Sequence, residues 1–203
     1  LMILAAGTSH NAAMIGKYWL ETLADLPVVT EIASEFRYRN PSVRHLDMAM
    51  GISQSGESLD TLMALRYAGE KGLKTLGLVN VPESTIARET DLQLFTRAGP
   101  EIGVASTKAF TAQLTVLLAM AAALGRDRGV ISKEQCDAIK DQLIRLPRLV
   151  GQAMSGFDKI KPFIAALSRA RSCLFLGRGT LYPLALEGAL KLKELSYIHA
   201  EGY

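Results

Sequence analysis

Short apolar runs alternate with helical patterns through residues 1–125, and this alternation restricts the chain to few folds. The runs, which we predict to be strands, are Leu1–Ala6, Val28–Ala33, Met48–Ser53, Lys74–Asn80 and Asp91–Thr96. Helical segments are predicted between most of them, at Asn11–Leu23, Leu59–Glu70 and Ser84–Arg88. Such alternation favours an α/β fold, with a doubly wound parallel five-stranded sheet flanked by helices.

Three turns rich in hydroxyl groups precede predicted helices. They are Gly7-Thr8-Ser9, Ser53-Gln54-Ser55-Gly56-Glu57-Ser58 and Gly103-Val104-Ala105-Ser106-Thr107-Lys108. A helix N-terminus presents unpaired N–H groups and partial positive charge, so each turn is a candidate anion site. In an open parallel sheet, ligands bind beyond the carboxyl ends of the strands. We therefore expect the first two turns, with the third nearby, to surround one small ligand.

The Ser53–Ser58 turn has the strongest chemical character of the three. It contains no lysine, whereas the nucleotide P-loop uses a lysine to reach the β- and γ-phosphates. The turn therefore suits a single phosphate monoester. A plain helix cap, in which Ser55 or Ser58 satisfies one backbone N–H, is the alternative, and the turn alone does not decide between the two.

Composition excludes several classes of partner. The 203 residues are 49% hydrophobic and 21% charged, and the net charge of +3 comes from scattered basic residues. Without a polybasic tract, neither nucleic acid nor a membrane surface is expected as a partner. The two cysteines, Cys136 and Cys173, form no CxxC motif, so we expect no metal site, disulfide or cofactor. The longest apolar stretch, Ala109–Leu124, is predicted to be a buried helix rather than a membrane span.

The sequence after residue 125 divides into a linker and the start of a repeat. Residues 126–170 are predicted to be a helical linker, in which Ser132 and Gln135 form a capping box. Residues 171–203 match the beginning of the chain at an offset of 172, since Gly7-Thr8 corresponds to Gly179-Thr180. We expect the first strand and first helix of a second copy of the fold here, packed on the first domain or on another chain.

Three charged residues in the last helix share one face. Glu187, Lys191 and Glu194 are spaced i, i+4 and i+7, so they can form a ladder of ion pairs. A solvated salt-bridge face is one interpretation. The other is a general base, Glu194, held near a cation and able to move a proton between adjacent carbons of an aldose or ketose. Spacing alone leaves both interpretations open.

Several segments together resemble a known family. They are AAGTS, EIASEFRYR, SQSGES, EIGVASTKAF, LFLGRGTLYPLALEGALKLKE and SYIHAEGY. Over essentially the whole chain, they are similar to the isomerase region of the glutamine-fructose-6-phosphate aminotransferases, also called glucosamine-6-phosphate synthases, which is built from sugar isomerase (SIS) domains. The resemblance implies a cytoplasmic enzyme that makes glucosamine 6-phosphate and glutamate from fructose 6-phosphate and glutamine. It also implies an N-terminal glutaminase domain and a homodimer.

The resemblance also assigns residue roles. The sugar phosphate would be held by Ser53, Gln54, Ser55 and Ser58, the last standing where the family commonly has threonine. The loop beside the sugar would comprise Gly7, Thr8 and Ser9, with Val104 and Ser106 as further contacts to its polar groups. Glu194 resembles the base that moves the proton between C1 and C2, and Lys191 resembles the neighbour that stabilises the developing enolamine oxygen.

The resemblance further implies that this chain is a fragment. The family's ring-opening histidine and Schiff-base lysine would lie past Tyr203, so we expect the fragment not to complete the reaction. Two other functions stay open from the sequence. One is a non-catalytic SIS domain that senses a phosphosugar, and the other is a different aldose-ketose isomerase acting on a sugar phosphate. The ALEGALKLKE helix counts against the first, and the second copy counts against the other.

Overall fold

The first part of the chain forms a parallel sheet of five strands in the order β2-β1-β3-β4-β5. The structure, a computed structural model, describes residues 1–103 and 105–203. The strands are β1 (Met2–Ala5), β2 (Val29–Ile32), β3 (Met48–Ser53), β4 (Lys74–Val79) and β5 (Leu92–Phe95). All four strand pairs are parallel. The predicted five-stranded parallel sheet is therefore confirmed.

Helices cover both faces of this sheet. They are α1 (Gly7–Ala24), α2 (Ala33–Phe36), α3 (Leu59–Glu70), α4 (Thr85–Glu89) and α5 (Lys108–Asp127). Successive residues of a strand point to opposite faces. In β1, Ile3 joins the core beneath α1 and α5, whereas Leu4 joins the core beneath α2, α3 and α4. Burial of both faces explains why the central strands β1, β3 and β4 are rich in apolar residues.

Helix α5 packs in the core. In the described part of the chain, it is the one helix long and apolar enough to cross a membrane by length and composition. It packs along α1 and buries Gln113, Leu117 and Ala121. Packing of this kind accounts for its apolar composition, as expected for the predicted buried helix.

A helical segment connects the sheet to the rest of the chain. Helix α6 (Lys133–Met154) starts at the predicted capping box, in which Gln135 N donates to Ser132 Oγ and Ser132 N donates to Gln135 Oε1. A 3-10 turn over Phe157–Lys159 and helix α7 (Lys161–Leu167) follow. The boundaries of the linker, at residues 126 and 170, stay predictions.

The final part of the chain contains one more strand than predicted. Strand β6 (Ser172–Phe175), helix α8 (Leu181–Ser196) and strand β7 (His199–Gly202) form a unit in which the two strands pair in parallel. The sequence predicts only β6 and α8. Short and without β-branched residues, β7 is defined by its pairing with β6 rather than by a local pattern.

This unit repeats the β1-α1-β2 arrangement. Ser172 pairs with His199 as Met2 pairs with Val29, so both strands are offset by 170 residues. Gly7, the first residue of α1, and Gly179, two residues before α8, both have positive φ and are offset by 172 residues. The second copy therefore has two more residues between its strand and this glycine.

Asp91, immediately before β5, joins the last two strands of the sheet through Thr75. The backbone N–H and the hydroxyl of Thr75 donate to the Asp91 carboxylate at 2.8 and 2.9 Å. These hydrogen bonds hold the pKa of the carboxyl below its usual value of 3.8. A carboxylate with a lowered folded-state pKa stabilises the fold above its unfolded-state pKa, and this stabilisation is lost as the pH falls through the folded-state pKa.

We therefore expect Asp91→Asn to lower the Tm of the purified protein above about pH 5. The Tm difference from wild type should shrink steadily below about pH 4, as the wild-type carboxyl becomes protonated. Thermal unfolding followed by circular dichroism between pH 3 and 7 measures this. Asp141→Asn, at an exposed position on α6, is the control. A Tm difference that stays constant over this range would contradict the assigned role of Asp91.

Candidate functional site

Two of the predicted turns lie side by side at the carboxyl edge of the sheet. Strands β1 and β3 are neighbours, and from them the sheet extends in opposite directions, to β2 on one side and to β4 on the other. The sequence predicts Gly7–Ser9 as a turn before a helix that starts at Asn11, but these residues form the first turn of α1, one residue after β1. The turn Ser53–Ser58 begins at the last residue of β3. A reversal of strand order creates the crevice in which open α/β sheets bind their ligands. The sheet order therefore places both turns at the expected ligand position.

The serine turn is held by its own hydroxyl groups. Ser53 Oγ accepts a hydrogen bond from Gly56 N at 3.0 Å and shares one with Ser58 Oγ at 2.8 Å. Ser55 Oγ accepts from Glu57 N at 3.1 Å. Ser58 stands at the N-cap position of α3, but its side chain makes no capping hydrogen bond. The simple capping alternative therefore does not explain these serines, since their hydroxyls order the turn instead of the helix end.

Residues of the turn differ in their access to the crevice. Ser53 is buried, Gln54 and Ser55 are half-buried, and Ser58 is exposed. The N-terminus of α3 has no side-chain cap from Ser58, which leaves its first N–H groups able to face an anion. A buried anchor, accessible hydroxyls and an uncapped helix end are suited to one anionic group.

The third turn is connected to the first through α5. Ser9 is buried, and its Oγ accepts a hydrogen bond from Gln113 Nε2 at 3.0 Å. Ser106 is half-buried and lies two residues before α5. Within the described ranges, no hydrogen bond joins Ser106 to the other two turns, and Val104 lies outside those ranges. The predicted roles of Val104 and Ser106 are therefore not tested by these contacts.

Helix α8 docks on the first turn. Thr8 Oγ1 donates to Glu187 Oε1 at 2.9 Å, and Asn11 Nδ2 donates to Glu187 Oε2 at 2.8 Å. Lys191 Nζ donates to Thr8 Oγ1 at 3.1 Å. These contacts join residues 176 to 183 positions apart in the sequence. The second unit therefore contributes side chains to the crevice of the first.

The predicted ladder of ion pairs on α8 is present. Lys191 Nζ lies 3.5 Å from Glu187 Oε1 and 2.6 Å from Glu194 Oε2. The exposed fraction of the side chain rises from 6% at Glu187 through 19% at Lys191 to 39% at Glu194. The interpretation of these residues as a fully solvated salt-bridge face is therefore wrong for Glu187. Within the ladder, the carboxylate of Glu187 is therefore buried and that of Glu194 is accessible.

Asn11 is not selected by the sequence analysis, which names Glu187 as part of the ion-pair ladder but gives it no role of its own at the site. Glu187 lies on a helix whose other buried residues are Pro183, Ala185 and Ala189. A glutamate among small apolar neighbours is a signal in the sequence, but its partners on α1 are visible only in the fold.

His10 adds no positive charge to the first turn near neutral pH. Burial lowers the pKa of its imidazole, and a hydrogen bond and the charge at Glu31 only partly offset that effect. Lys191, by contrast, donates to Thr8 and so brings a positive charge to this segment. Among the described residues, no group of three or more His, Cys, Asp or Glu side chains is arranged to hold a metal ion.

Comparison with known proteins identifies the family of this chain. The SIS domain family matches residues 1–123 and 166–203. The chain belongs to the SIS domain family. Over all 203 residues it is 54% identical to a glutamine-fructose-6-phosphate aminotransferase of Caulobacter vibrioides, and it spans 34% of that protein's length. The resemblance found in the sequence is therefore confirmed.

Solved SIS structures give the same result. The C-terminal domain of glucosamine-fructose-6-phosphate aminotransferase from Francisella tularensis matches the whole chain with a TM-score of 0.94 and 43% identity, and this chain covers 57% of it. A glucosamine-6-phosphate deaminase from Thermotoga maritima matches with a TM-score of 0.82 at 24% identity, and 60% of that chain is covered. The second comparison shows a shared SIS fold alone.

Proposed function

We propose that this chain forms the phosphosugar-binding part of the isomerase region of a glutamine-fructose-6-phosphate aminotransferase. Such an enzyme makes glucosamine 6-phosphate and glutamate from fructose 6-phosphate and glutamine. The observation that carries the proposal is that two hydroxyl-rich segments lie at the carboxyl ends of the neighbouring strands β1 and β3, with Lys191 hydrogen-bonded to Thr8 of the first. Identity of 54% to a protein of that name supports it.

The serine turn would hold the phosphate. Ser53, Gln54, Ser55 and Ser58 surround the uncapped N-terminus of α3, and a dianion gains from both the hydroxyl donors and the helix end. The sugar would then lie along the first turn, Gly7–Ser9, with Val104 and Ser106 as further polar contacts. This placement puts the carbon chain between the phosphate and the charged face of α8.

Proton transfer would be carried out by Glu194, with Lys191 beside it. Glu194 is the most exposed carboxylate of the three charged residues, so it can take a proton from C1 of the open-chain sugar and return it at C2. Lys191, 2.6 Å from Glu194, would stabilise the negative charge that develops on the neighbouring oxygen. A domain that only senses a phosphosugar needs no base, so the docked ladder favours catalysis over sensing.

The remaining parts of the proposal concern the whole protein. The chain spans about a third of the length of the curated relatives that it matches. We propose that a separate glutaminase domain supplies ammonia from glutamine, that the protein is a homodimer, and that it acts in the cytoplasm. Exposed apolar residues on α8, including Leu184 and Leu195, support an interface with further protein.

The serine turn gives the first test. We expect fructose 6-phosphate, but not fructose, to bind in isothermal titration, and Ser53→Ala/Ser55→Ala to weaken binding at least about 100-fold. Each hydrogen bond to a charged group contributes about 1.5 kcal/mol or more, and 1.4 kcal/mol corresponds to a factor of ten. Ser155→Ala/Ser168→Ala, two serines of the linker, is the matched control. Equal binding of fructose and fructose 6-phosphate would contradict the phosphate site.

A further inference from the structure

We infer that Glu187 is a positioning residue of this site, which fixes α8 on the first turn and so holds Lys191 and Glu194 at the crevice. The inference rests on the proposed function, because it concerns the reaction that Lys191 and Glu194 would perform. Asn11 and Thr8 are its partners on α1. Glu187 itself would touch no reacting atom.

The burial of Glu187 is the first argument. The residue is 5% exposed, yet both carboxylate oxygens are bonded, Oε1 to Thr8 and Oε2 to Asn11. Removing a charge from water is costly unless it is paired and hydrogen-bonded. A well-packed apolar side chain would often stabilise such a contact equally well. A buried carboxylate here therefore points to a requirement for orientation rather than for packing alone.

The second argument is that a single hydroxyl, that of Thr8, connects α1 with both Glu187 and Lys191 of α8. Thr8 Oγ1 donates a hydrogen bond to Glu187 and accepts one from Lys191, so α1 is hydrogen-bonded to two successive helical turns of α8. Lys191 in turn bonds to Glu194. A shift of α8 at Glu187 would therefore move both Lys191 and Glu194 relative to the sugar.

The connection also spans the two units of the chain. The crevice is formed by β1 and β3 of the first sheet, whereas α8 packs on β6 and β7 of the second. Side chains on different units keep a fixed distance only if specific contacts join the units. The carboxylate of Glu187 supplies two hydrogen bonds of fixed direction at this boundary. Misplacement of a reacting group by about 1 Å can lower the rate about 10²-fold.

The test uses the full-length protein that carries this chain, with glucosamine 6-phosphate formation from fructose 6-phosphate and glutamine as the readout. We expect Glu187→Ala to lower kcat about 100-fold, as for a misplaced base. Glu187→Gln should lower kcat only about tenfold, because an amide can still accept from Asn11 and donate to Thr8. KM for fructose 6-phosphate should stay within about threefold, since the phosphate turn follows β3 and is unchanged.

Asp91→Asn is the matched control for a structural effect. It also replaces a hydrogen-bonded carboxylate by an amide, but Asp91 lies immediately before β5, away from the crevice. We expect this variant to lower Tm and to leave kcat within about twofold of wild type. If Glu187→Ala does not fold, Glu187→Gln decides, since it preserves size and most hydrogen bonds.

The outcomes distinguish failure of the positioning role of Glu187 from failure of the proposed function. A wild-type protein that is active, together with Glu187 variants of unchanged kcat, would overturn the positioning role alone. A change that appears mainly as a higher KM would also overturn the positioning role, because it would place Glu187 in substrate binding. A folded wild-type protein that forms no glucosamine 6-phosphate would overturn the proposed function and the inference together.

Discussion

Glu194→Gln is expected to lower kcat for glucosamine 6-phosphate formation by about 10²- to 10⁴-fold, the usual contribution of a general base. The amide keeps the size of the side chain but cannot take a proton from C1. KM for fructose 6-phosphate should change little, because the phosphate is held by the serine turn on the other side of the crevice. Steady-state kinetics on the full-length protein measure both constants.

Stability separates this effect from a folding defect. The Glu194 side chain is 39% exposed, and a partly exposed ion pair contributes about 1 kcal/mol or less. Tm of Glu194→Gln should therefore remain close to that of wild type. Glu70→Gln, at the exposed end of α3, is the control for a carboxylate-to-amide change on a helix. A kcat within about fivefold of wild type would rule out Glu194 as the base.

The sheet could be predicted because its central strands, β1, β3 and β4, are buried on both faces. The run Leu1–Ala6 is apolar throughout, and the helices between the strands show a clear period. Helix α2 could not be predicted in the same way. It has only four residues, Ala33–Phe36, and follows β2 directly, so no helical period develops before it ends.

The candidate site was predictable in its parts but not in its assembly. The serine turn and the ladder of α8 are local patterns, and the sequence identifies both. Which turn the ladder meets depends on contacts between residues such as Thr8 and Glu187, which are 179 positions apart. Local spacing carries no information on such a contact. The choice between a capping serine and a turn-forming serine likewise required the distance from Ser53 to Ser58.

Gly56→Ala is the second change with a large expected effect, because the serine turn has no room for a side chain at this position. Gly56 has a φ of +69°, and a Cβ there would lie 2.0 Å from Ser84 Oγ and 2.4 Å from Ser84 Cβ. Ser84 is 2% exposed and directly precedes α4, so it cannot move away easily. The left-handed backbone costs about 1–2 kcal/mol for alanine, and overpacking adds about 1–3 kcal/mol.

We expect Gly56→Ala to lower the free energy of unfolding by about 2–5 kcal/mol and to abolish measurable fructose 6-phosphate binding. Gly56 N donates to Ser53 Oγ, so displacement of the glycine removes the bond that orders the buried hydroxyl of the turn. Urea unfolding and isothermal titration measure the two effects. The loss of binding should exceed that of any single serine-to-alanine change in the turn.

Gly72→Ala separates the steric effect from the backbone effect. Gly72 also has a positive φ, of +90°, but a Cβ there would have no atom within 4 Å. For this variant, the free energy of unfolding should fall only by the cost of a left-handed alanine, about 1–2 kcal/mol. It should bind fructose 6-phosphate as wild type does. Adding Ser84→Gly to Gly56→Ala should recover part of the lost stability, because it removes both close contacts. Equal destabilisation by Gly56→Ala and Gly72→Ala would show that the turn tolerates a methyl group, and that its conformation does not depend on the contact with Ser84.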